Sequence, residues 1–336
     1  MLLQAAAEVL FTIADARITE SSGLAASRTA DAYYTVNDSG DDLRCFVLDG
    51  RGRTLSTLEF PGVDARDVED LALGPEGTLY LADVGDNDGV RPRVLVHRVP
   101  EPQVGGVRMG AAVRGPAPRS ASLTYEDGPR DAETLLVHPR TGQVLVVTKG
   151  VFGQSVYAAP LPLADGGLRR VGRVRTEATG TPGGPDLGPV AQVLVTGGAV
   201  SPDGRRVVLR TYTDAYVYDV EGDDVAAALE GEATVVPLPP TEQGEAVAWT
   251  RDGTALLTSS EGAGAPVHRV PLPPVDTPAA PDPVADDPAD PADPADPVAD
   301  GQDGQDRDGG PPRTAVAAVA LLVGLVGLGV TLRRSR

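Results

Sequence analysis

Cysteine, lysine and histidine are nearly absent from the 336 residues, and each scarcity excludes a class of chemistry. Cys45 is the single cysteine, so there is no intramolecular disulfide and no thiolate metal cluster. The three histidines, His97, His138 and His268, lie far apart and show no ligand spacing. A zinc site of neighbouring imidazoles is therefore unsupported. Of the 29 basic residues only Lys149 is a lysine; the bias reads as coding composition, yet it singles that residue out. No G-x-S-x-G nucleophile motif occurs, and Ser21-Ser22-Gly23 has no histidine near it in sequence. "GPEG", "SPDG" and "TRDG" read as turns between strands rather than phosphate loops, and "GTPGGP" at 180–185 as a flexible insertion.

What is abundant is acid, glycine and proline. The net charge of −19 makes nucleic acid and anionic lipid surfaces poor partners. Residues 275–310 carry 11 Asp against Arg307 alone, hence −10, which leaves −9 for the remainder. Forty Gly, 31 Pro and many short Val/Leu runs favour a turn-rich β protein over a helical one.

The C-terminal fifth divides by composition. Residues 314–332, "TAVAAVALLVGLVGLGVTL", are free of charge and are followed by Arg333, Arg334 and Arg336. As a helix they would extend roughly 28 Å, close to a bilayer core. The arginines mark the tail 333–336 as cytoplasmic and everything before the helix as extracellular. Residues 273–313 repeat Asp and Pro and read as a disordered stalk, the alternative being an acidic cation-binding tract. Residues 1–9 form at most a weak export signal, with no basic residue and with Glu8 interrupting the apolar stretch. Either they are the remnant of a truncated leader, the reading favoured here, or the C-terminal helix inserts by itself.

Between these ends five segments share one grammar: a polar or acidic entry, a short apolar strand, a turn often reading P-x-G, a second strand and a third. The entries are "ITESSGLAAS" at 18, "DVEDLALGPEG" at 67, "DAETLLVHPRTG" at 131, "VTGGAVSPDG" at 195 and "QGEAVAWTRDG" at 243. Aligned on their acids, the equivalent positions are Glu20, Glu69, Glu133, Gly197 and Glu245, separated by 49, 64, 64 and 48 residues. That is the size of a four-stranded propeller blade with insertions in the second and third. The expected fold is all-β, a single β-propeller over residues 10–272. Five blades is the count given by the entries, and six the alternative if an insertion hides one. The fifth unit stops after three strands near residue 272, so "LFTIADA" at 10–16 is expected to supply its fourth.

A propeller brings the entries of its innermost strands to one mouth of the channel. Glu20, Glu69, Glu133 and Glu245 are thus candidate metal ligands, with Gly197 leaving a fifth place open. The second-strand exits add Asn37, Asp38, Asp83, Asp86, Asn87, Lys149, Arg210 and Glu261. Converging carboxylates need compensation by a hard cation, by Lys149 and Arg210, or by water. Calcium, which takes six to eight oxygen ligands, suits the set better than magnesium. The structural alternative is that each Glu accepts backbone N–H bonds from the neighbouring blade. Lys149 and Arg210 read equally as anion-binding groups and as salt-bridge partners of the ring acids. Asp64, Asp67, Asp70 and Asp131 read as turn or solvent-facing residues.

The segments "ESSGLAAS…VNDSG", "DVEDLALG…LYLADVGDN…R…HRVPEP", "YEDGPRDAETLLVHP" and "GAVSPDGRRVVLRTY" resemble a family of secreted actinobacterial, WD-repeat-like β-propellers. The entry pattern is also similar to esterase-like phytase propellers and SdiA-regulated propellers. The resemblance covers roughly 10–272 and implies a propeller outside the membrane with a calcium-dependent hydrolytic pocket. Two functions follow as expectations. One is a membrane-tethered binding module for a small polar ligand or envelope protein, monomeric and with a divalent cation at its mouth. The other is a calcium-dependent esterase, lactonase or phosphoesterase, with Asp83 or Asp86 as base and Lys149 and Arg210 holding the anion.

Overall fold

Short aliphatic runs between Gly-, Pro- and Asp-rich turns become strands here because neighbouring sheets cover both of their faces. The computed structural model describes residues 6–38, 40–104 and 108–273. The chain divides into two units after Pro273, and the described strands lie in the first. The segments expected as stalk from 274 onward, membrane helix and basic tail fall outside the described residues, as do residues 1–5. Among the described residues no helix is long and apolar enough to cross a membrane.

The strands begin with β1 (Glu8–Thr12), β2 (Ser21–Ala26), β3 (Ala32–Asn37), β4 (Arg44–Asp49) and β5 (Thr54–Glu59). Next come β6 (Val68–Leu73), β7 (Thr78–Asp83), β8 (Val94–Pro100), β9 (Ala111–Arg114) and β10 (Arg119–Tyr125). A third group is β11 (Ala132–Val137), β12 (Val144–Thr148), β13 (Gln154–Ala158) and β14 (Gly166–Val174). β15 (Val195–Val200), β16 (Arg206–Thr211), β17 (Asp214–Asp219) and β18 (Thr234–Pro237) form the fourth. β19 (Gly244–Trp249), β20 (Ala255–Ser260) and β21 (Pro266–Pro271) complete the series. The α-helix Val225–Ala228 is a single turn, capped by Asp224, whose side chain accepts from the Ala227 N–H.

Each group is an antiparallel meander. β2 to β5 form the first unit, with β9 added parallel to β5. β6, β7, β8 and β10 form the second, and β11 to β14 the third; β10 and β14 pair in parallel and fuse these two into one eight-stranded sheet. β15 to β18 form the fourth. The last unit takes its fourth strand from the other end of the chain: β1 pairs antiparallel with β21, Glu8 opposite Arg269 and Thr12 opposite Pro266. This closing strand starts two residues before the span expected for it, so it includes Glu8 and Val9.

The first strands touch in the order β2, β6, β11, β15, β19 and back to β2, and so surround an axis. The arrangement is of β-propeller type. Strand periodicity explains how it is held together. Alternate residues face opposite neighbours: Leu79 and Leu81 pack towards the first unit, while Tyr80 and Ala82 pack towards the third. In the same way Val207 and Leu209 face the third unit and Val208 faces the last. Phe11, Leu257 and Val267 of the last unit meet Leu24, Phe46 and Leu48 of the first, which closes the series of interlayer cores. Because the inner strands of each sheet are buried on both faces, they read as continuous apolar runs, whereas the outer strands such as β14 and β18 are largely exposed.

Candidate metal centre at the channel mouth

The innermost strands share one irregularity. Pairing slips between Ser21 and Gly23, Val68 and Asp70, Ala132 and Thr134, Val195 and Gly197, and Gly244 and Val247. A β-bulge of this kind re-aims the side chain it leaves unpaired. The bulge residues are Ser22, Glu69, Glu133, Thr196 and Glu245. Three of these bulge residues, Glu69, Glu133 and Glu245, are acids of the expected ring, while Ser22 and Thr196 stand at the bulge in the other two units. Glu20 lies outside β2, in an isolated bridge with Glu261. Gly197 follows the bulge, where a Cβ would stand 2.6 Å from Glu245 O, so its lack of a side chain reflects close approach of the next strand. Spacing carried the correct alignment. Ser22, Glu69, Glu133, Thr196 and Glu245 each precede the first turn residue by six positions, counted to Arg28, Pro75, Pro139, Pro202 and Arg251.

Ser22 and Thr196 tie neighbouring units together. Ser22 Oγ donates to Glu69 O, and Thr196 Oγ1 donates to Gly244 O at 2.9 Å. Asp70, expected at the surface, is 2% exposed; its Oδ2 accepts from Leu135 N at 2.8 Å, joining the second unit to the third. The spacing role considered for the glutamates is filled here by Ser22, Thr196 and Asp70.

The carboxylates separate into two groups. In the first, Asp38, Asp67 and Glu69 offer oxygens that all lie within 4.8 Å of one another. Asp67, expected at a turn, is only 9% exposed, and its buried Oδ1 has no hydrogen-bond partner among the described residues. Burial first, then the charge of and hydrogen bond to Asp38, push the Asp67 carboxyl up to about 8. Burial and the charges of Asp38, Glu133 and Asp67 raise Glu69 well above its usual range. Such a set is stable with shared protons or with a cation among its oxygens, not as three bare anions. Gly85 makes the approach possible: a Cβ there would lie 2.3 Å from Glu69 Oε1 and 2.5 Å from Asp67 Oδ2. Gly85→Ala is expected to force these carboxylates apart and abolish cation binding while the sheets persist, read by calorimetry together with circular dichroism.

The loop carrying Gly85 is held by Arg91, which sequence reasoning did not single out. Arg91 Nη2 pairs with Asp83 Oδ1 at 2.8 Å, its Nη1 donates to Gly85 O, and its N–H donates to Asp86 Oδ2. Asp83 Oδ1 also accepts from Asp67 N at 2.9 Å. Asp86 further accepts from Val90 N, and its own N–H donates to Asp131 Oδ1 at 3.0 Å. Asp83 and Asp86 thus position Asp67 and Gly85 from behind. Asn37 Nδ2 donates to Arg17 O and to Asp41 Oδ2, and Asn87 is exposed.

The second group surrounds Lys149. Its ammonium pairs with Glu133 Oε1 and lies 5.2 Å from the centre of the Tyr212 ring. Glu133, Tyr212 and Glu245 hold the Lys149 pKa well above its ordinary value even though burial opposes this. Burial pushes Glu245 up to about 8 against the pull of Lys149. Glu261 accepts from Gln243 Nε2 at 3.3 Å. Arg210 departs from the expectation of an anion-binding cation at the mouth. It is 1% exposed, and its Nη1 donates to Ala246 O at 2.5 Å and to Ser259 O at 2.6 Å, between the fourth unit and the last.

No protein-family model and no curated protein matches the chain. Solved structures do. A PQQ-bound aldose sugar dehydrogenase from Streptomyces coelicolor is 13% identical at a TM-score of 0.41, over 79% of this chain and 98% of that one. A gluconolactonase from Xanthomonas campestris is 14% identical at 0.42, over 80% and 89%. A chain of a mitotic checkpoint complex is 15% identical at 0.37, over 75% and 62%. Likeness at this level carries no chemistry over to this chain.

Proposed function

We propose that the chain is a membrane-tethered, extracellular, five-bladed β-propeller that acts as a binding module and takes a divalent cation, calcium, at its channel mouth. Asp38, Asp67 and Glu69 hold the ion. The observation that carries this reading is Asp67, a buried carboxylate with an oxygen unpartnered among the described residues, beside two more carboxylates. A hard cation preferring oxygen ligands answers that surplus of acceptors. The tether is argued from residues 314–336 and the stalk before them; a bound ion at the mouth would offer open coordination positions to a small polar ligand or an envelope protein.

A hydrolase of the esterase, lactonase or phosphoesterase type remains the second reading, because the same mouth combines a cation site with the ammonium of Lys149. It requires a base, and Asp83 and Asp86 are engaged with Arg91 and backbone N–H groups, which favours the binding module.

Calorimetry with Ca²⁺ against an EDTA-treated protein tests the proposal. Asp67→Asn and Glu69→Gln are expected to weaken binding by about tenfold or more while circular dichroism stays unchanged. Absence of any heat or thermal shift with Ca²⁺ in the wild type rejects the cation site. Turnover of an aryl ester or phosphate ester that is lost in Asp67→Asn favours the hydrolase.

A further inference from the structure

Where the second strand of each unit leaves for the mouth stand, in order, Asp38, Val84, Lys149, Tyr212 and Glu261. Lys149 is the chain's only lysine, and it is placed among acids contributed by other strands. Its ammonium binds Glu133, lies over the Tyr212 ring and acts on Glu245 and Glu261. An ammonium so placed does what a metal ion would do for these carboxylates, but with charge +1 and no exchange with solvent. Glu133 bears the mark of the substitution. It is 5% exposed; Oε1 is on Lys149, while the buried Oε2 has no hydrogen-bond partner among the described residues. Glu133 is also within electrostatic reach of Glu69 and Glu245, so it lies between the two groups of acids.

We infer that the Lys149 ammonium occupies the place of a second divalent cation, so that the mouth takes one ion, on Asp38, Asp67 and Glu69, and is closed to another on Glu133 and Glu245. The repulsion between an ammonium and a divalent ion at close range, in surroundings poor in water, is large enough to exclude the second ion. Only the first ion rests on the cation reading above; the latent second site rests on Lys149, Glu133 and Glu245.

The test is an ion count on the full chain in detergent, by calorimetric titration with Ca²⁺ and by metal analysis after desalting. One equivalent is expected in the wild type and in Lys149→Arg, two in Lys149→Gln, and one again in Glu133→Gln/Lys149→Gln. One equivalent in both wild type and Lys149→Gln overturns the inference and leaves the first site standing. None in the wild type but one in Lys149→Gln rejects the first site and supports the inference; none in either overturns both. If Lys149→Gln folds only with the ion present, the count is made in that form.

Discussion

In EDTA the propeller is expected to lose stability as the pH rises from about 6.5 to about 8, and added Ca²⁺ is expected to remove the part of that loss carried by Asp67 and Glu69. Unfolded, the carboxyls of Asp67 and Glu245 lose their protons near 3.8 and 4.5; folded, both hold them to about 8. Glu69 and Asp70 shift in the same direction, chiefly through burial. Between the two sets of values the folded state binds more protons than the unfolded one. Stability is therefore greatest below the unfolded values and declines towards the folded ones, by about 1.4 kcal/mol per pH unit for each group that differs. The histidines act in the opposite sense below about 6.5, since burial lowers the pKa of His97, His138 and His268 in the folded state. The decline is for that reason clearest above 6.5. A bound cation replaces the protons and stabilises by mass action, flattening the slope. Urea melts at pH 6.5, 7.25 and 8, with EDTA or Ca²⁺, measure both effects; a stability in EDTA that rises with pH across this range would contradict the burial of these acids.

Arg210→Met is expected to cost about 3–5 kcal/mol. The guanidinium is fully enclosed, and its Nη1 bridges Ala246 O and Ser259 O while Nε reaches Thr211 O at 3.3 Å. Methionine fills much of the volume but leaves buried carbonyls without donors. Gly244 belongs to the same arrangement, since a Cβ there would lie 2.1 Å from Arg210 Nη2. Arg210→Lys keeps a charge but cannot span both carbonyls, and an intermediate loss is expected. Equilibrium unfolding in urea gives the numbers, and a loss under about 1 kcal/mol for the methionine variant would sink this account. The affinity for Ca²⁺ should stay unchanged in any fraction that remains folded, because Arg210 does not face the triad.

Strand order was legible because turn chemistry and apolar runs are local: the third strands "LRCFVLD", "RVLVHRVPE", "QSVYAAPLP", "AYVYDV" and "APVHRVPLP" correspond to β4, β8, β13, β17 and β21. The missing strand of the last unit was legible from the count alone. The alignment on acids coincides with the bulge where the bulge residue is an acid, at Glu69, Glu133 and Glu245, and departs from it where that residue is Ser22 or Thr196. The departure came from following residue type instead of the distance to the turn. Asp67 could not be found locally. Its importance depends on Gly85, which lies beyond a hairpin, and on Asp38, which comes from another sheet. Arg91 was invisible for the same reason: among many arginines, only its fold position distinguishes it.

The pairing of β1 with β21 has a consequence for how the molecule is made. The strand Glu8–Thr12 leaves the ribosome among the first of the domain, whereas its partner Pro266–Pro271 is the last to be synthesised. Until then Phe11 has no Val267 to pack against, and the first and last layers have no shared core. The earlier units can assemble in order of synthesis, but the circle cannot shut until translation has passed the end of the domain. Closure is therefore a late step, and its cost grows only slowly with the length of chain between the two strands.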